Sequence, residues 1–507
     1  MVDCNISNMG GYLWKQINYW LDADMSGELI LGELLSREKG ILTEKWFYST
    51  ELRVLNTQII FKIFFYFFES WHTVRWISSI VLILIMLGSF YYLMKQLNCK
   101  GFPFIAACLI LNPSTLYFDV VLKGLYYIPH ICISFLTIGM IIQYMKTDNI
   151  LLKKILFFIM TALSLISGLG GLRQIVILYL PLLIVSILWK ILGIRGNVVS
   201  GKWNILCEIM FLGSMLGYLI NIKVLSKRFI YKKFTEIEYK DFELDSVTSV
   251  FNGILHTLGY RNGNIFSVVS VINVGAIALL VLILISLLAG LSRRCRISNT
   301  NRFLSFYFLC ALLVFTLLYS FTNMEYSNRY NVPFLVFSVP VIFLNIQETE
   351  FSRNIKKCLY TIILISIYFG GLYQWNFRKN IDTTSQIKEV SEYLLSHEVS
   401  KGYSTFWNGN VLTELSDGEI EVWVHSPTGG ETNIWENTDE IYPWLQYTDH
   451  VNNRPRGKVF VLLSKEEYDA LVENVMAEWA DVAFSNDTYV LFVFDDYDDL
   501  QRSVARG

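Results

Sequence analysis

The sequence Asp22-Ala-Asp24-Met-Ser-Gly-Glu28-Leu stands just ahead of the first strongly hydrophobic segment of the chain. If it forms a helix, Asp24 and Glu28 lie one turn apart on the same face. A carboxylate at a membrane surface is partly removed from water, which raises its pKa towards the range in which it can act as a general base. The stretch therefore predicts a reactive acidic site, provided that the chain is a membrane protein.

The same stretch also has a purely structural interpretation. Asp24 or Ser26 could cap a helix that runs to about Lys39, with Gly40 as the stop signal. The acids would then form a solvated first turn. The D-x-D spacing of Asp22 and Asp24 is compatible with both interpretations, and the sequence alone leaves them open.

Composition decides the membrane question. Of the 507 residues, 53% are hydrophobic and 17% are charged, whereas about 25% of an ordinary soluble chain is charged. Mean hydropathy is positive, at +0.41. This is the composition of an integral membrane protein and excludes a large soluble enzyme.

Charge is divided unevenly along the chain. Residues 376–507 contain 10 Lys and Arg against 24 Asp and Glu, a net charge of −14, while the remainder carries +12. A basic membrane body is thus followed by an acidic domain of ordinary soluble size. No basic tract interleaved with aromatic residues indicates nucleic-acid binding.

The hydrophobic pattern predicts about ten membrane segments between residues 76 and 375. Residues 54–68 are apolar but short, which favours an interfacial or re-entrant helix. The chain then divides into an N-terminal segment with the first outer loop (1–75), a transmembrane domain (76–375) and a soluble domain (376–507). The predicted segments are 76–94, 102–118, 127–145, 155–171, 174–190, 203–222, 266–291, 303–321, 331–346 and 358–375.

Lysine and arginine accumulate in alternate connections, which predicts that those connections are cytoplasmic. The acidic stretch at Asp22 and the C-terminal domain then share the outer side of the membrane. The basic connections contain Lys95 and Lys100; Lys146, Lys153 and Lys154; Lys190, Arg195 and Lys202; Arg293, Arg294, Arg296 and Arg302; and Arg353, Lys356 and Lys357.

The C-terminal domain alternates helix and strand patterns, which predicts a small α/β fold. Residues 383–398 and 465–480 have a helical pattern. Strands are predicted at 418–424, 459–463 and 489–494. The domain contains no glycine-rich phosphate loop and no Ser/His/Asp arrangement, so it offers no catalytic motif of its own.

Two arginines lie at predicted outer ends of membrane segments. Arg173 follows the glycine-rich stretch 168–171, and Arg329 lies in Glu325-Tyr-Ser-Asn-Arg329-Tyr. A guanidinium at head-group level can hold a phosphate through two hydrogen bonds, although it can equally be a snorkelling anchor. His130 lies at the predicted outer end of another membrane segment and is a candidate hydrogen-bond donor to the same phosphate.

The pattern resembles the GT-C superfamily of membrane glycosyltransferases, which includes protein mannosyltransferases and bacterial lipid A aminoarabinose transferases. The resemblance covers most of the chain, and its architecture is more specific than its catalytic motif. Three segments resemble an uncharacterised Firmicutes-type branch, namely DADMSGELILGELLSREKGILTEKWFYSTELRVLNTQ (22–58), GLGGLRQ (168–174) and YSTFWNGNVLTELSDGEIEVW (403–423).

The resemblance implies transfer of a sugar from a polyprenyl-phosphate donor to a lipid or glycan acceptor outside the bacterial cytoplasmic membrane, with inversion at the anomeric carbon. Asp24 or Asp22 would be the catalytic base, with Glu28 beside it. Arg173, Arg329 and His130 would bind the donor phosphate. Some members use a divalent metal such as Mg²⁺ or Mn²⁺ beside the acids, but nothing in this sequence requires one.

One departure from the family concerns the N-terminus. The family has a membrane-spanning helix immediately before the acidic loop, and residues 1–21 do not supply one. We expect either that the true start lies upstream of Met1 or that this branch has lost the helix.

Two other functions fit the sequence. The chain could be a transporter or lipid flippase whose arginines conduct a charged head group. It could also be an envelope scaffold whose acidic domain binds a partner. The predicted segments contain few charges apart from Glu208, which favours the enzyme over the transporter.

Overall fold

The computed structural model describes residues 14, 16–50, 52, 54–192, 202–231, 238–262, 268–292, 296–378, 381–425, 441–474 and 481–504. Within these residues the architecture is that of a helical multi-pass membrane protein with a small C-terminal α/β domain, which confirms the predicted fold class. Residues 1–13 and 15, on which the question of an N-terminal spanning segment mainly depends, lie outside the described part.

Seven helices of the described residues are long and apolar enough to cross a membrane. Each begins or ends close to a predicted hydrophobic segment. The helices are Trp71–Gln96, Ile128–Lys146, Ile150–Leu169, Trp203–Lys227, Val269–Leu291, Asn299–Phe321 and Arg353–Gln374.

Three of the ten predicted segments do not form one long helix. Segment 102–118 falls on Phe102–Ile110 and Thr115–Lys123, which are bent by 88° at a break that contains Pro113. Segment 174–190 forms the shorter helix Ile175–Ile191. Segment 331–346 is divided into the short helices Asn328–Asn331, Val332–Leu335 and Ser338–Glu348. Proline explains the first and last breaks, because it removes a backbone donor and crowds the preceding turn.

The acidic stretch forms the helix Ala23–Glu38, here called the acidic helix. Its N-cap is Asp22, whose side chain accepts a hydrogen bond from Met25 N at 2.9 Å; the prediction of Asp24 or Ser26 as the cap was wrong. Asp22 has an extended backbone (φ −135°, ψ 166°), the conformation that an N-cap requires. Lys39 ends the helix in the left-handed conformation.

Two glycines allow a close contact between two helices of the membrane domain. The helices Ile150–Leu169 and Trp203–Lys227 pack so closely that a Cβ on Gly168 would overlap the Ser214 carbonyl, and one on Gly217 the Leu165 carbonyl. Small residues four apart on one helix, such as Gly213 and Gly217, allow two helices to approach this closely inside a bilayer. The contact fixes the end of the helix Ile150–Leu169, just before Arg173.

The C-terminal domain contains a five-stranded sheet in the order β3-β2-β5-β7-β6. Strand β2 is parallel to β3 and β5, whereas β7 is antiparallel to β5 and β6. The described strands are β2 (Lys401–Thr405), β3 (Glu421–His425), β5 (Val459–Ser464), β6 (Val482–Ser485) and β7 (Tyr489–Phe494), and the helices are Ser385–Ser396, Phe406–Leu415, Lys465–Asn474 and Tyr497–Val504. The sequence pattern missed β2, β6 and the helices Phe406–Leu415 and Tyr497–Val504, and residues 475–480 of one predicted helix lie outside the described part.

The C-terminal domain is joined to the first loop by backbone pairing and by a buried ion pair. Strand β1 (Trp46–Phe47) pairs antiparallel with β4 (Gln446–Tyr447). Arg75, on the first membrane helix, forms an ion pair with Glu414 and donates to the Met25 carbonyl at 3.0 Å.

The remaining described α-helices of the molecule are Gln58–Phe65, between the acidic helix and the first membrane helix, and Leu244–Thr257, which follows the connection after the helix Trp203–Lys227.

Candidate active site

A pocket of about 90 Å³ lies where the acidic helix, residues 49–50, three connections of the membrane domain and the C-terminal domain meet. It brings together four of the six residues selected from the sequence: Asp24, Glu28, Arg173 and Arg329. The residues that line it are Asp24, Glu28, Ser49, Thr50, Tyr126, Tyr127, Arg173, Arg329, Tyr330, Trp444 and Leu445.

One wall of the pocket is acidic. Asp24 and Glu28 lie one helical turn apart on the acidic helix, as their spacing predicts. Most of that helix is buried, and Leu29 and Leu35 are fully inaccessible to solvent. Glu28 accepts hydrogen bonds from Asn56 Nδ2 at 3.2 Å and from Thr57 Oγ1 at 3.2 Å. Its carboxylate is therefore fixed by the loop before the Gln58–Phe65 helix.

Asp22 has a different environment. Besides capping the acidic helix, its side chain forms an ion pair with Lys123 at 3.2 Å. Asp22 is not among the residues that line the pocket. Its two contacts explain its presence as a helix cap and as a link between the acidic helix and the Thr115–Lys123 segment.

The other wall carries the arginines and tyrosine rings. The Arg173 guanidinium carbon lies 4.9 Å from the Tyr127 ring centroid and 5.5 Å from that of Tyr330. The guanidinium carbon of Arg329 lies 5.7 Å from the Tyr330 centroid. Cations are attracted to the faces of aromatic rings, and this attraction orients both guanidinium groups. Gly171, with φ +106°, provides the turn that precedes Arg173.

Electrostatic effects in the pocket couple the two walls. Burial lowers the pKa of Arg329, but Tyr127, Tyr330, Tyr126 and the Asp24 carboxylate together outweigh it, so the net shift is upward and Arg329 stays charged. The pKa of Tyr126 is raised, mainly by burial and further by Asp22 and Asp24. Tyr126 therefore remains a neutral hydroxyl beside the acids at physiological pH.

His130 lies behind the pocket rather than in its lining. It is buried near the start of the helix Ile128–Lys146, and its Nδ1 lies 3.1 Å from Gln174 Nε2. The same amide nitrogen donates to the His130 carbonyl at 3.0 Å. Since Gln174 follows Arg173 in the chain, these contacts fix the backbone that carries the arginine.

Sequence reasoning missed the third wall, which Trp444 and Leu445 of the C-terminal domain provide. Nothing in the local sequence places this segment beside residue 24, because the contact depends on the pairing of β1 with β4. Tyr126, Tyr127 and Tyr330 also line the pocket, and the sequence did not single them out as site residues. Tyr330, which directly follows Arg329 in the chain, was a usable signal.

The acidic wall does not provide a donor set for a resident divalent metal. In the described ranges, no three side chains of His, Cys, Asp or Glu come together as metal ligands. Mg²⁺ requires near-octahedral oxygen coordination, and Glu28 is already held by Asn56 and Thr57. No step below therefore uses a metal.

Comparison by sequence gives no match to a family model or to a curated protein. Comparison by structure shows that the chain shares its overall fold with solved structures of another protein.

Two matching structures are of ArnT from Cupriavidus metallidurans. The first, bound to undecaprenyl phosphate, matches with a TM-score of 0.56 and 10% identity, over 97% of this chain and 98% of that one. The second, in the apo state, matches with a TM-score of 0.58 and 9% identity, over 96% of each chain.

Proposed function

We propose that the protein is a membrane glycosyltransferase that takes a sugar from a polyprenyl-phosphate donor. The observation that carries this proposal is the pocket itself. It is lined both by the acids Asp24 and Glu28 and by the arginines Arg173 and Arg329. A displacement at a sugar carbon needs a base at one end and a cationic site for the leaving phosphate at the other.

Asp24 is the better candidate for the base. It lines the pocket, whereas Asp22 does not, and its carboxylate raises the pKa of Arg329, which lines the same pocket. In the proposed step the acceptor hydroxyl gives its proton to the Asp24 carboxylate while its oxygen bonds to the anomeric carbon. The bond between that carbon and the phosphate oxygen breaks, and its electron pair leaves with the phosphate. Attack opposite the leaving group inverts the anomeric configuration.

Arg173 and Arg329 hold the phosphate as its negative charge grows. A guanidinium binds phosphate oxygens in a planar, two-point arrangement and stays charged at all physiological pH values. The tyrosine faces of Tyr127 and Tyr330 keep both groups oriented before the donor arrives. This prior orientation lowers the cost of stabilising the transition state.

The donor lipid is proposed from three facts. The chain has seven candidate membrane spans, its pocket combines arginines with acids, and a structure of the same fold is bound to undecaprenyl phosphate. The acceptor is a lipid or glycan of the cell envelope. We place the protein in a bacterial cytoplasmic membrane, with the pocket and the C-terminal domain on the outer side.

The orientation can be tested in intact cells. Asp487 is exposed on the C-terminal domain, and Asp148 is exposed in the connection between the helices Ile128–Lys146 and Ile150–Leu169. In a cysteine-free background, a cysteine introduced by Asp487→Cys should react with a membrane-impermeant maleimide, whereas one introduced by Asp148→Cys should react only after permeabilisation. The reverse labelling pattern would contradict the proposed orientation.

The activity is tested by transfer of a radiolabelled sugar from undecaprenyl phosphate in membranes that contain the protein. We expect transfer by the wild type, its loss in Asp24→Asn and much weaker transfer at limiting donor concentration in Arg173→Ala. The matched controls are Glu33→Gln, on the same helix but paired with Arg37, and Arg228→Ala, which is exposed and paired with Glu44. Equal transfer by all variants would remove this site, and absence of transfer with a panel of donor sugars would favour a transporter.

A further inference from the structure

The third wall of the pocket is a tight turn of the C-terminal domain, Tyr442-Pro443-Trp444-Leu445. Trp444 N donates to the Tyr442 carbonyl at 2.7 Å, which closes a three-residue turn around Pro443. The next residue, Leu445, has φ +46°, in the left-handed region that residues other than glycine rarely adopt. These two successive constraints fix the direction in which the Trp444 side chain leaves the backbone.

The surroundings hold Leu445 in this conformation. Its side chain packs against Gly27 of the acidic helix, where no Cβ is present to obstruct it. Its carbonyl accepts a hydrogen bond from Asn410 Nδ2 at 3.0 Å, and the same amide group lies 3.3 Å from the Ala23 carbonyl. A strained residue persists only where its neighbours impose the conformation, and such residues cluster at functional sites.

The turn is also attached to the sheet. Tyr442 N donates to the Val424 carbonyl at 2.9 Å. On the other side of the turn, the buried Gln446 side chain accepts from Val424 N at 3.0 Å and donates to its carbonyl at 2.9 Å. Both ends of the turn are therefore fixed to one residue of β3, and the tip is held rigidly over the pocket.

The rigid tip carries two aromatic residues, of which Trp444 lines the pocket and Tyr442 packs against it. The Tyr442 and Trp444 rings are stacked, with centroids 5.9 Å apart and planes 18° from parallel. Trp444 lines the pocket together with Asp24. Burial and the nearby Asp24 carboxylate raise the pKa of Tyr442, so its hydroxyl stays neutral.

A fixed aromatic face beside a catalytic base suits one class of ligand particularly well. The C–H groups on one face of a pyranose ring carry partial positive charge, and they are attracted to the negative face of an aromatic ring. Because Tyr442 and Trp444 are already ordered, little side-chain entropy is lost on binding. A flexible lipid head group gains much less from a flat, rigid ring.

We propose that Trp444, supported by Tyr442, stacks on a pyranose ring of the acceptor, so that the hydroxyl that reacts at Asp24 belongs to a saccharide. This inference rests on the proposed function for the assignment of the acidic end as the acceptor end. It narrows the acceptor from a lipid or glycan to a glycan.

The test measures saccharide contact directly by saturation-transfer NMR on the full-length protein in nanodiscs. The probes are methyl β-D-glucopyranoside, methyl α-D-mannopyranoside and methyl N-acetyl-β-D-glucosaminide, with glycerol as a polyol that has no ring. The variants are Trp444→Ala and Trp444→Phe. The matched control is Trp407→Ala, a tryptophan of the same domain that is 57% exposed and outside the pocket lining.

We expect saturation of the ring C–H protons on one face of at least one glycoside. The saturation should fall by about fivefold in Trp444→Ala, as for loss of one aromatic contact, and persist in Trp444→Phe and Trp407→Ala. Equal saturation in Trp444→Ala, or glycoside signals no stronger than those of glycerol, would overturn the inference. Asp24→Asn should still bind the glycoside while losing transfer, so this inference and the proposed function can fail separately.

Discussion

Two of the places near the acidic helix where opposite charges come together differ in the space around them. Arg75 and Glu414 are each about 1% exposed and are fully enclosed by the first membrane helix, the acidic helix and the helix Phe406–Leu415. Asp24 and Arg173 instead face an open pocket of about 90 Å³. The buried pair leaves no room for a third group, whereas the pocket does. The same side-chain chemistry is structural in one place and available for a ligand in the other.

The largest effect should come from the acidic wall. Asp24→Asn should lower the rate of sugar transfer by about 1000-fold, the usual contribution of a general base. Donor affinity should change little, because the arginines are untouched. The measurement is the initial rate at saturating donor, with Glu33→Gln as the control. A loss confined to donor KM would assign Asp24 to binding instead.

The buried pair should respond in stability rather than in chemistry. Glu414→Gln leaves the Arg75 charge buried without its counter-charge, which should destabilise the fold by about 3 kcal/mol. The double variant Arg75→Met with Glu414→Leu removes both charges and should recover much of that loss. Thermal unfolding in detergent measures both. A double variant that is no more stable than Glu414→Gln would contradict this description.

The arginine wall should affect the donor. Arg173→Ala removes a charge-assisted contact worth about 2 kcal/mol, which corresponds to a rise of roughly 30-fold in donor KM. Arg173→Lys should recover the charge but not the two-point geometry, so its donor KM should lie between those of the wild type and Arg173→Ala. Arg228→Ala is the control. An unchanged donor KM in Arg173→Ala would place the phosphate elsewhere.

Part of the pocket is predictable from the sequence. The i, i+4 spacing of Asp24 and Glu28 predicts their common face, and the position of Arg173 and Arg329 at segment ends predicts their shared level. The choice of cap could not be made locally, because Asp22, Asp24 and Ser26 are all good N-cap residues.

Long-range pairing explains most of what the sequence did not reveal. Trp444 reaches the pocket through the pairing of β4 with β1 and the contacts of Leu445 with Asn410 and Gly27, and no local pattern encodes these contacts. The glycine contact had a readable signal, since Gly213-Ser-Met-Leu-Gly217 spaces two glycines four apart on an apolar helix. Proline at the break around Pro113 was visible too, although its position does not reveal an 88° bend.

A smaller effect is expected at the strained turn. Leu445→Gly relieves the left-handed backbone but removes a buried side chain, so the two changes partly cancel and stability should shift by about 1 kcal/mol or less. Freed from its constraint, the turn should present Trp444 less rigidly, and the acceptor KM should rise while the donor KM stays constant. Thermal unfolding and transfer kinetics separate these effects. Equal shifts in both KM values would indicate a general disturbance of the pocket.

The smallest effect concerns a third, partly exposed charge pair. Glu421 Oε1 lies 3.1 Å from His450 Nε2, and the hydrogen bond from His450 is the main cause that lowers the pKa of Glu421. A carboxyl whose folded pKa is depressed stabilises the fold above its unfolded pKa and loses that contribution as the pH falls through the folded pKa. Below about pH 4.5, the wild type should therefore lose the stability that the ionised Glu421 carboxylate provides. Glu421→Gln lacks this contribution at every pH. Parallel unfolding curves for the two proteins across this pH range would contradict the assignment.

The central claim is that the Arg75–Glu414 pair is structural, whereas the pocket arginines bind the donor phosphate. A cryo-electron microscopy structure of the protein with undecaprenyl phosphate tests it most directly. We predict density for the phosphate against the guanidinium groups of Arg173 and Arg329, with Asp24 on the far side of the remaining space and the Arg75–Glu414 pair unchanged. Phosphate density away from both pocket arginines would contradict the account.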